Sequence, residues 1–355
     1  MKNRRIPVLI TLLISILVLM NFNGVPVDAE GEIPVKVMIF SMFEVGDYRG
    51  DFAGEFQHWV EEYDLDKNSV EVKGAYGPVL YNDSGIAGTV IGVGKSNTAA
   101  SVAAILLDPR FDFSDTYFLT SGCSGTPPDV GTLGSVFWAP WVVDYDLAHR
   151  MSPSEGDPVQ PLECNPELYP NQCKTDAGGE EGVTEYATYA YKLNEKLVQW
   201  AFELSKDAEL VDSSAAEEYR NRYTEETARR DPFVALGTTI TGDTYFHGPG
   251  LSEQAQEIVD WYDAGTYSTT QMEDYATALT LKRFGYLDRY LSKRSVVNFD
   301  QPYPDQTSQS SLEADSGGFS IGMENALRAG KPVVDHILAN WSTWKDGVPE
   351  LPEDK

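Results

Sequence analysis

The chain has 355 residues, 42% of them hydrophobic and 23% charged, with a formal net charge of −28. That length suffices for one large domain or two small ones, and so acidic a surface repels nucleic acid and anionic membranes. The acids are spread along the chain without a long acidic tail, which reads as solubility in a salty or extracellular medium.

Lys2, Arg4 and Arg5 precede an apolar run from Ile6 to Met20, and Val27 and Ala29 offer a cleavage site. This pattern predicts a signal peptide over residues 1–29 and a secreted, periplasmic or extracellular product. The run is about 15 residues, short of the roughly 20 that span a bilayer comfortably. An uncleaved N-terminal anchor is the alternative. No later stretch is long and apolar enough to cross a membrane, the richest being Thr132 to Val143.

From there, strands and helices alternate. Val35–Phe40 reads as a buried first strand, and Phe52, Phe56, Trp59, Val60 and Tyr63 recur at helical spacing after it. Thr89–Val93 reads as a strand feeding an alanine-rich helix over Ser96–Leu107. Tyr117–Thr120 and Gly134–Val143 read as strands around a Gly/Pro turn that holds Cys123. Residues 151–182 show little periodicity and read as a surface insertion. In an oxidising compartment, Cys164 and Cys173 would close that Pro- and Asn-rich loop as a disulfide. Helices are predicted at 184–205 and 214–230, a strand at 233–240, and helices at 251–262 and 269–285. A strand at 295–299 and a helix at 321–344 follow. Such alternation predicts a single α/β domain over residues 30–355.

Several short motifs fail on register. Gly94-Lys95-Ser96 looks like the end of a phosphate-binding P-loop, but Thr89 stands where its first glycine belongs. Gly92-Val93-Gly94 opens like a dinucleotide fingerprint, but Asn97 takes the third glycine position. A strand, a tight glycine turn and a helix start remain, and free amides there favour an anion or polar ligand. The adhesion-like Arg49-Gly50-Asp51 is short enough to recur by chance, and the sequons at Asn82 and Asn340 are glycosylation sites only in a eukaryotic host. Four scattered histidines, with neither CxxC nor HExxH, predict no metal site.

Five blocks in order carry a resemblance. Gly92–Ala100 resembles the glycine turn of nucleoside phosphorylase-type proteins. Tyr117–Gly125, with Leu133-Gly134-Ser135-Val136, is similar to their central strand and purine-side turn. Gly242-Asp243-Thr244-Tyr245-Phe246 is similar to the base-pocket loop. Gln271-Met272-Glu273-Asp274-Tyr275-Ala276 is similar to the helix start that holds ribose. Arg294–Pro304, with Asn298-Phe299-Asp300-Gln301-Pro302-Tyr303-Pro304, resembles a block of the purine nucleoside permease family. Together they cover most of residues 34–344. The resemblance implies a three-layer nucleoside phosphorylase-like α/β fold, a central mixed β-sheet flanked by helices, and a purine nucleoside as ligand.

It also implies roles. Glu273 would hold the ribose hydroxyls and stabilise the cation that forms as the glycosidic bond breaks, with Met272 beneath the sugar. Tyr245 would face the base, and Gly122 would lie beside it. Asn298 and Asp300 are the catalytic candidates at the purine, Asp300 as proton donor because an amide has no transferable proton. Gly94, Asn97, Cys123 and Arg294 would line a phosphate or water site. Cys123 stands where phosphorylases place a phosphate-binding serine, and a thiol is a poor donor. No cofactor is implied, although phosphate would be the co-substrate of a phosphorylase. Two functions compete: an extracytoplasmic enzyme that cleaves purine nucleosides by hydrolysis or phosphorolysis, and a non-catalytic nucleoside-binding component of uptake. Assembly stays open, a homo-oligomer included.

Overall fold

The computed structural model describes residues 32–152, 159–161 and 190–352. The expected leader 1–29, most of the insertion 151–182, and both Cys164 and Cys173 lie outside the described residues. Val37–Ser41 is the first long strand, and all five of its residues are buried. An apolar run of this kind suits a strand covered on both faces. It pairs in parallel with Ile86–Val90 on one side and Tyr117–Thr126 on the other.

Across the main sheet the order is Ala190–Lys192, Trp141–Asp144, Thr238–Thr241, Tyr267–Gln271, Tyr117–Thr126, Val37–Ser41, Ile86–Val90, Val79–Tyr81 and Asn68–Val70. Tyr290–Phe299 runs parallel along Tyr117–Thr126, and Val136–Trp138 pairs antiparallel with it. Both senses occur, so the sheet is mixed, as expected.

The strand Tyr290–Phe299 shows why the architecture has three layers. Side chains alternate across a strand. Ser292 and Arg294 reach Asp274, on the helix Asp274–Phe284. Between them, Lys293 reaches the carbonyl of Ala326, on the helix Gly318–Ala339. Helices therefore cover both faces of the sheet. Trp59, Phe40, Phe118 and Trp138 are fully buried in the same core, each contributing about 1.5–3 kcal/mol through the area it removes from water.

Several predicted elements differ from the structure. Within 184–205, Ala190–Lys192 is an edge strand and the helix is Glu195–Ser205; within 214–230, only Ser214–Arg220 and the short turn Thr227–Arg229 are helical. The strand starting at Tyr117 continues to Thr126, so Cys123 lies in a strand and not in a turn. Small residues at Ser121, Gly122, Ser124 and Gly125 read as a loop in isolation, but close packing on both faces selects them. Residues 269–285 divide into a strand, Tyr267–Gln271, and a helix, Asp274–Phe284. The Gln271 side-chain oxygen causes the break, accepting from the amides of Glu273 and Asp274. Gly134–Val143 is two strands, Val136–Trp138 and Trp141–Asp144, interrupted at Pro140, which has no amide for a ladder.

Candidate active site

The strands Val37–Ser41, Tyr117–Thr126, Thr238–Thr241 and Tyr267–Gln271 all bring their carboxyl ends to one cavity. Open α/β sheets place ligands at this edge. The cavity is about 130 Å³, and its lining includes Met42, Glu55, Cys123, Tyr245, Met272, Glu273, Arg294 and Asn298. Small-molecule pockets begin at roughly 300 Å³, so a nucleoside enters only when part of the wall yields.

Glu55 was not visible as a site residue in the sequence. It is 4% exposed, and its carboxylate accepts from the amides of Met42 and Cys123, both at 2.7 Å. Burial pushes its pKa up to about 7; Arg294 and the two amides oppose that rise, and Glu273 adds to it. The only sequence signal is one acid among the apolar residues Phe52, Phe56 and Trp59. Gly122 makes this arrangement fit. A Cβ there would lie 1.9 Å from Met42 Cε, 2.8 Å from Arg294 Nη1 and 2.9 Å from Glu55 Oε1. Gly122 is thus a gap that lets the two charged groups approach, and it is not a wall of the cavity.

Arg294 is 1% exposed and each of its three guanidinium nitrogens is hydrogen-bonded. Nη2 lies 2.6 Å from Asp274 Oδ1 and 3.1 Å from Glu273 Oε2, and Nε lies 3.0 Å from Asp274 Oδ2. Nη1 donates to the Cys123 carbonyl at 3.1 Å. Burial works against the arginine's charge, but Asp274 and Glu273 more than compensate and its pKa rises. Burial raises the Glu273 pKa against the pull of Arg294, and it raises that of the Cys123 thiol, as does Glu55.

The expected phosphate site is therefore already filled. The Gly94 amide donates to Glu273 Oε1 at 3.0 Å and the Lys95 amide to Asp243 Oδ1 at 2.8 Å. Asn97 is exposed and donates to the Val93 carbonyl at 2.8 Å. The helix start carries the partial positive charge that was foreseen, but carboxylates of the chain itself satisfy it. Of the four residues assigned to phosphate or water, Cys123 and Arg294 line the cavity; Gly94 and Asn97 do not.

At the other end, Tyr245 sits 57% exposed on the loop after Thr238–Thr241. Asn298 turns its Nδ2 to the Phe299 carbonyl at 2.9 Å. Asp300, the expected proton donor, does not line the cavity. It is 1% exposed, Tyr267 donates to its Oδ2 at 2.9 Å, and its main-chain carbonyl accepts from Gly248 at 2.7 Å. Burial pushes its pKa up to about 6. The strand ends at Phe299 and Asp300 lies beyond it, off the cavity, its main chain anchoring the loop at Gly248. The Arg49-Gly50-Asp51 tripeptide is also tied down internally, with Arg49 paired to Asp66 at 2.8 Å.

Fold and site together define an α/β protein with a carboxylate-rich cavity at the carboxyl ends of its central strands. The family model of purine nucleoside permease matches residues 34–349. A probable purine nucleoside permease of Schizosaccharomyces pombe is 33% identical over 335 residues, covering 87% of this chain and 90% of the relative. This chain belongs to the purine nucleoside permease family. Among solved structures, the MTA/SAH nucleosidase of Streptococcus pneumoniae in complex with 8-aminoadenine superposes with a TM-score of 0.51. The identity is 15%, over 84% of this chain and all of that one. Native futalosine hydrolase of Helicobacter pylori gives 0.50 at 15% identity, over 85% and 98%. The fold is nucleoside phosphorylase-like. Among the described residues, no helix is long and apolar enough to cross a membrane.

Proposed function

We propose that this protein hydrolyses the N-glycosidic bond of purine nucleosides, and that it does so outside the cytoplasm. The observation that carries hydrolysis over phosphorolysis is the charge of the cavity. Glu55, Glu273 and Asp274 surround one arginine, and that arginine is already paired. A phosphate dianion would meet carboxylates, with no free cation among the described residues of the cavity to receive it. Water needs none. Glu55, titrating near neutrality and facing the cavity, supplies the base.

The roles follow from position. Glu273 receives the ribose hydroxyls and stabilises positive charge at C1′. Water between Glu55 and C1′ gives its proton to the carboxylate as its oxygen bonds to C1′. The C1′–N9 bond breaks, its electron pair leaves with the purine, and a proton from solvent neutralises the base. Tyr245 offers an aromatic face to the purine, and Asn298 offers hydrogen bonds to it. The family name, and the lack of a protonating acid at the base, favour a second reading: a nucleoside-binding component of uptake that performs no chemistry.

Purine release measured with and without phosphate separates these cases. Hydrolysis predicts release at the same rate in both. Strict dependence on phosphate, with ribose 1-phosphate as product, would establish a phosphorylase. Binding without release would establish the uptake component. Export rests on residues 1–29: intact mass from the native host should show cleavage near Ala29, and a non-reduced peptide map should show Cys164 joined to Cys173. Closing a loop of that size contributes roughly 2–3 kcal/mol.

A further inference from the structure

Behind the cavity, on the other face of the strand that carries Arg294, a lysine lies wholly inside the protein. Lys293 is 0% exposed. Its Nζ contacts Ser121 Oγ at 2.9 Å and the Ala326 carbonyl, and sits 5.5 Å from the centre of the Trp59 ring. Among the described residues it forms no ion pair, in contrast with Arg294 one position along. A buried ammonium without a counter-ion costs several kcal/mol, whereas an amine costs far less.

The hydrogen bonds around it suit the amine. Ser121 Oγ already accepts from Trp59 Nε1 at 2.9 Å, so its own proton needs an acceptor. A neutral Lys293 offers one lone pair to that proton and one N–H to Ala326. An ammonium has three donors and nothing for the hydroxyl proton. Gly330 lets the neighbours close in: a Cβ there would lie 2.6 Å from the Trp59 ring and 3.1 Å from Lys293 Cε.

We infer that Lys293 is held as an uncharged amine and acts as a positioning residue. It fixes Ser121, and through it the Gly122–Cys123 segment that grips Glu55, without adding a second positive charge beside Arg294. The link is short. Lys293 pairs with Ser121 and Arg294 with Gly122 across adjacent strands, and the next amide, that of Cys123, donates to Glu55. The charged groups that bear on the amine are Arg294, which opposes its protonation as burial does, and Glu55, which favours it. That coupling is mutual. A charge on Lys293 would pull the Glu55 pKa down, away from the range in which it serves as a base. The role in positioning Glu55 rests on the hydrolytic reading; the charge state does not.

Two measurements on the full chain test this. Denaturant titrations of wild type and Lys293→Met between pH 7 and pH 9.5 report the charge state. Unfolded lysine keeps its proton up to about pH 10.4, while the buried amine has lost it. The folding constant of wild type relative to the variant should therefore rise with pH, approaching about tenfold per unit. A flat ratio means the amine is charged in the fold and overturns the inference. The pH profile of purine release reports positioning. Lys293→Met should leave the acid limb in place while lowering kcat by roughly tenfold, with KM nearly unchanged. Lys293→Arg, an obligate cation, should move the limb to lower pH. A limb that rises by about half a pH unit or more in Lys293→Met would mean that a positive charge had been removed, and would also overturn it. If wild type releases no purine, the hydrolytic reading fails, and the titrations still decide the state of Lys293.

Discussion

The two ends of the cavity are built in opposite ways. At the end proposed for sugar and water, Glu55, Glu273, Asp274 and Arg294 are all buried and joined to one another or to main-chain amides. At the end proposed for the base, Tyr245 is more than half exposed on a loop anchored where the Gly242 and Asp243 amides reach the Gln271 carbonyl and Asp146, and where Gly248 reaches Asp300. The rigid end rests on strands and a helix start; the loose end rests on a loop. Preorganised charge matters where charge develops in the transition state, and a yielding wall matters where a flat base must enter a small cavity. Changes at the first end should therefore act on kcat, and changes at the second on KM.

Glu55→Gln is the sharpest way to break that division. It removes the base while keeping the shape, and should lower kcat by at least about 100-fold. Wild type should lose activity as pH falls through about 7, where Glu55 becomes protonated, and the residual activity of the variant should lack that limb. Stability should move the other way. The folded carboxyl binds its proton more tightly than the unfolded one, so its contribution is present below the unfolded pKa of about 4.3 and is lost as pH rises through about 7. Glu55→Gln should then flatten stability against pH in that window, which thermal melts would show. An unchanged rate profile would remove Glu55 from the mechanism.

Glu273→Gln tests the same end at the sugar. A charged hydrogen bond contributes about 1.5–3 kcal/mol, so turnover should drop by roughly 10- to 100-fold while affinity for the free base stays nearly constant. Equal losses for nucleoside and base, measured by calorimetry, would mean that the cavity has been read in the wrong direction. The variant also leaves Arg294 with one carboxylate fewer, so part of the loss should appear as a lower melting temperature.

How much of this was legible beforehand differs between the ends. Met272, Glu273 and Arg294 were readable because they belong to blocks with fixed spacing, and the structure brings them to one cavity. Glu55 was not, because no motif surrounds it; an irregular segment, held by Glu44 accepting from the amides of Phe56 and Gln57, carries it to the site. The glycine turn was found, and its anion preference was sound physics. What a single sequence does not reveal is that Glu273 and Asp243, distant in the chain, arrive as the anions. Strand ends were misjudged where side-chain contacts override local preference, as at Ser121–Gly125 and at Gln271. Asp300 was chosen for its chemistry, an amide having no transferable proton, and nothing in the sequence shows that it lies off the cavity. A register irregularity between Val296 and Asn298, followed by the strand's end at Phe299, carries Asp300 into the wall behind the base loop.

That displacement sets the smallest expected effect, at the loose end. Asn298→Ala removes a polar group from the cavity and should raise KM by about 5- to 10-fold with little change in kcat, one neutral hydrogen bond contributing about 1 kcal/mol. Asp300→Asn should do less. Its Oδ2 acceptor for Tyr267 is replaceable by an amide oxygen, and its main-chain bond to Gly248 is untouched. A rise in KM of about two- to threefold, with kcat unchanged, is the outcome for an anchor of a mobile wall. Steady-state kinetics on the pair distinguishes the roles. If Asp300→Asn instead lowers kcat by about 100-fold, the carboxyl delivers a proton to the departing purine, the loop must swing it into the cavity during turnover, and the contrast between a chemical end and a recognition end would no longer hold.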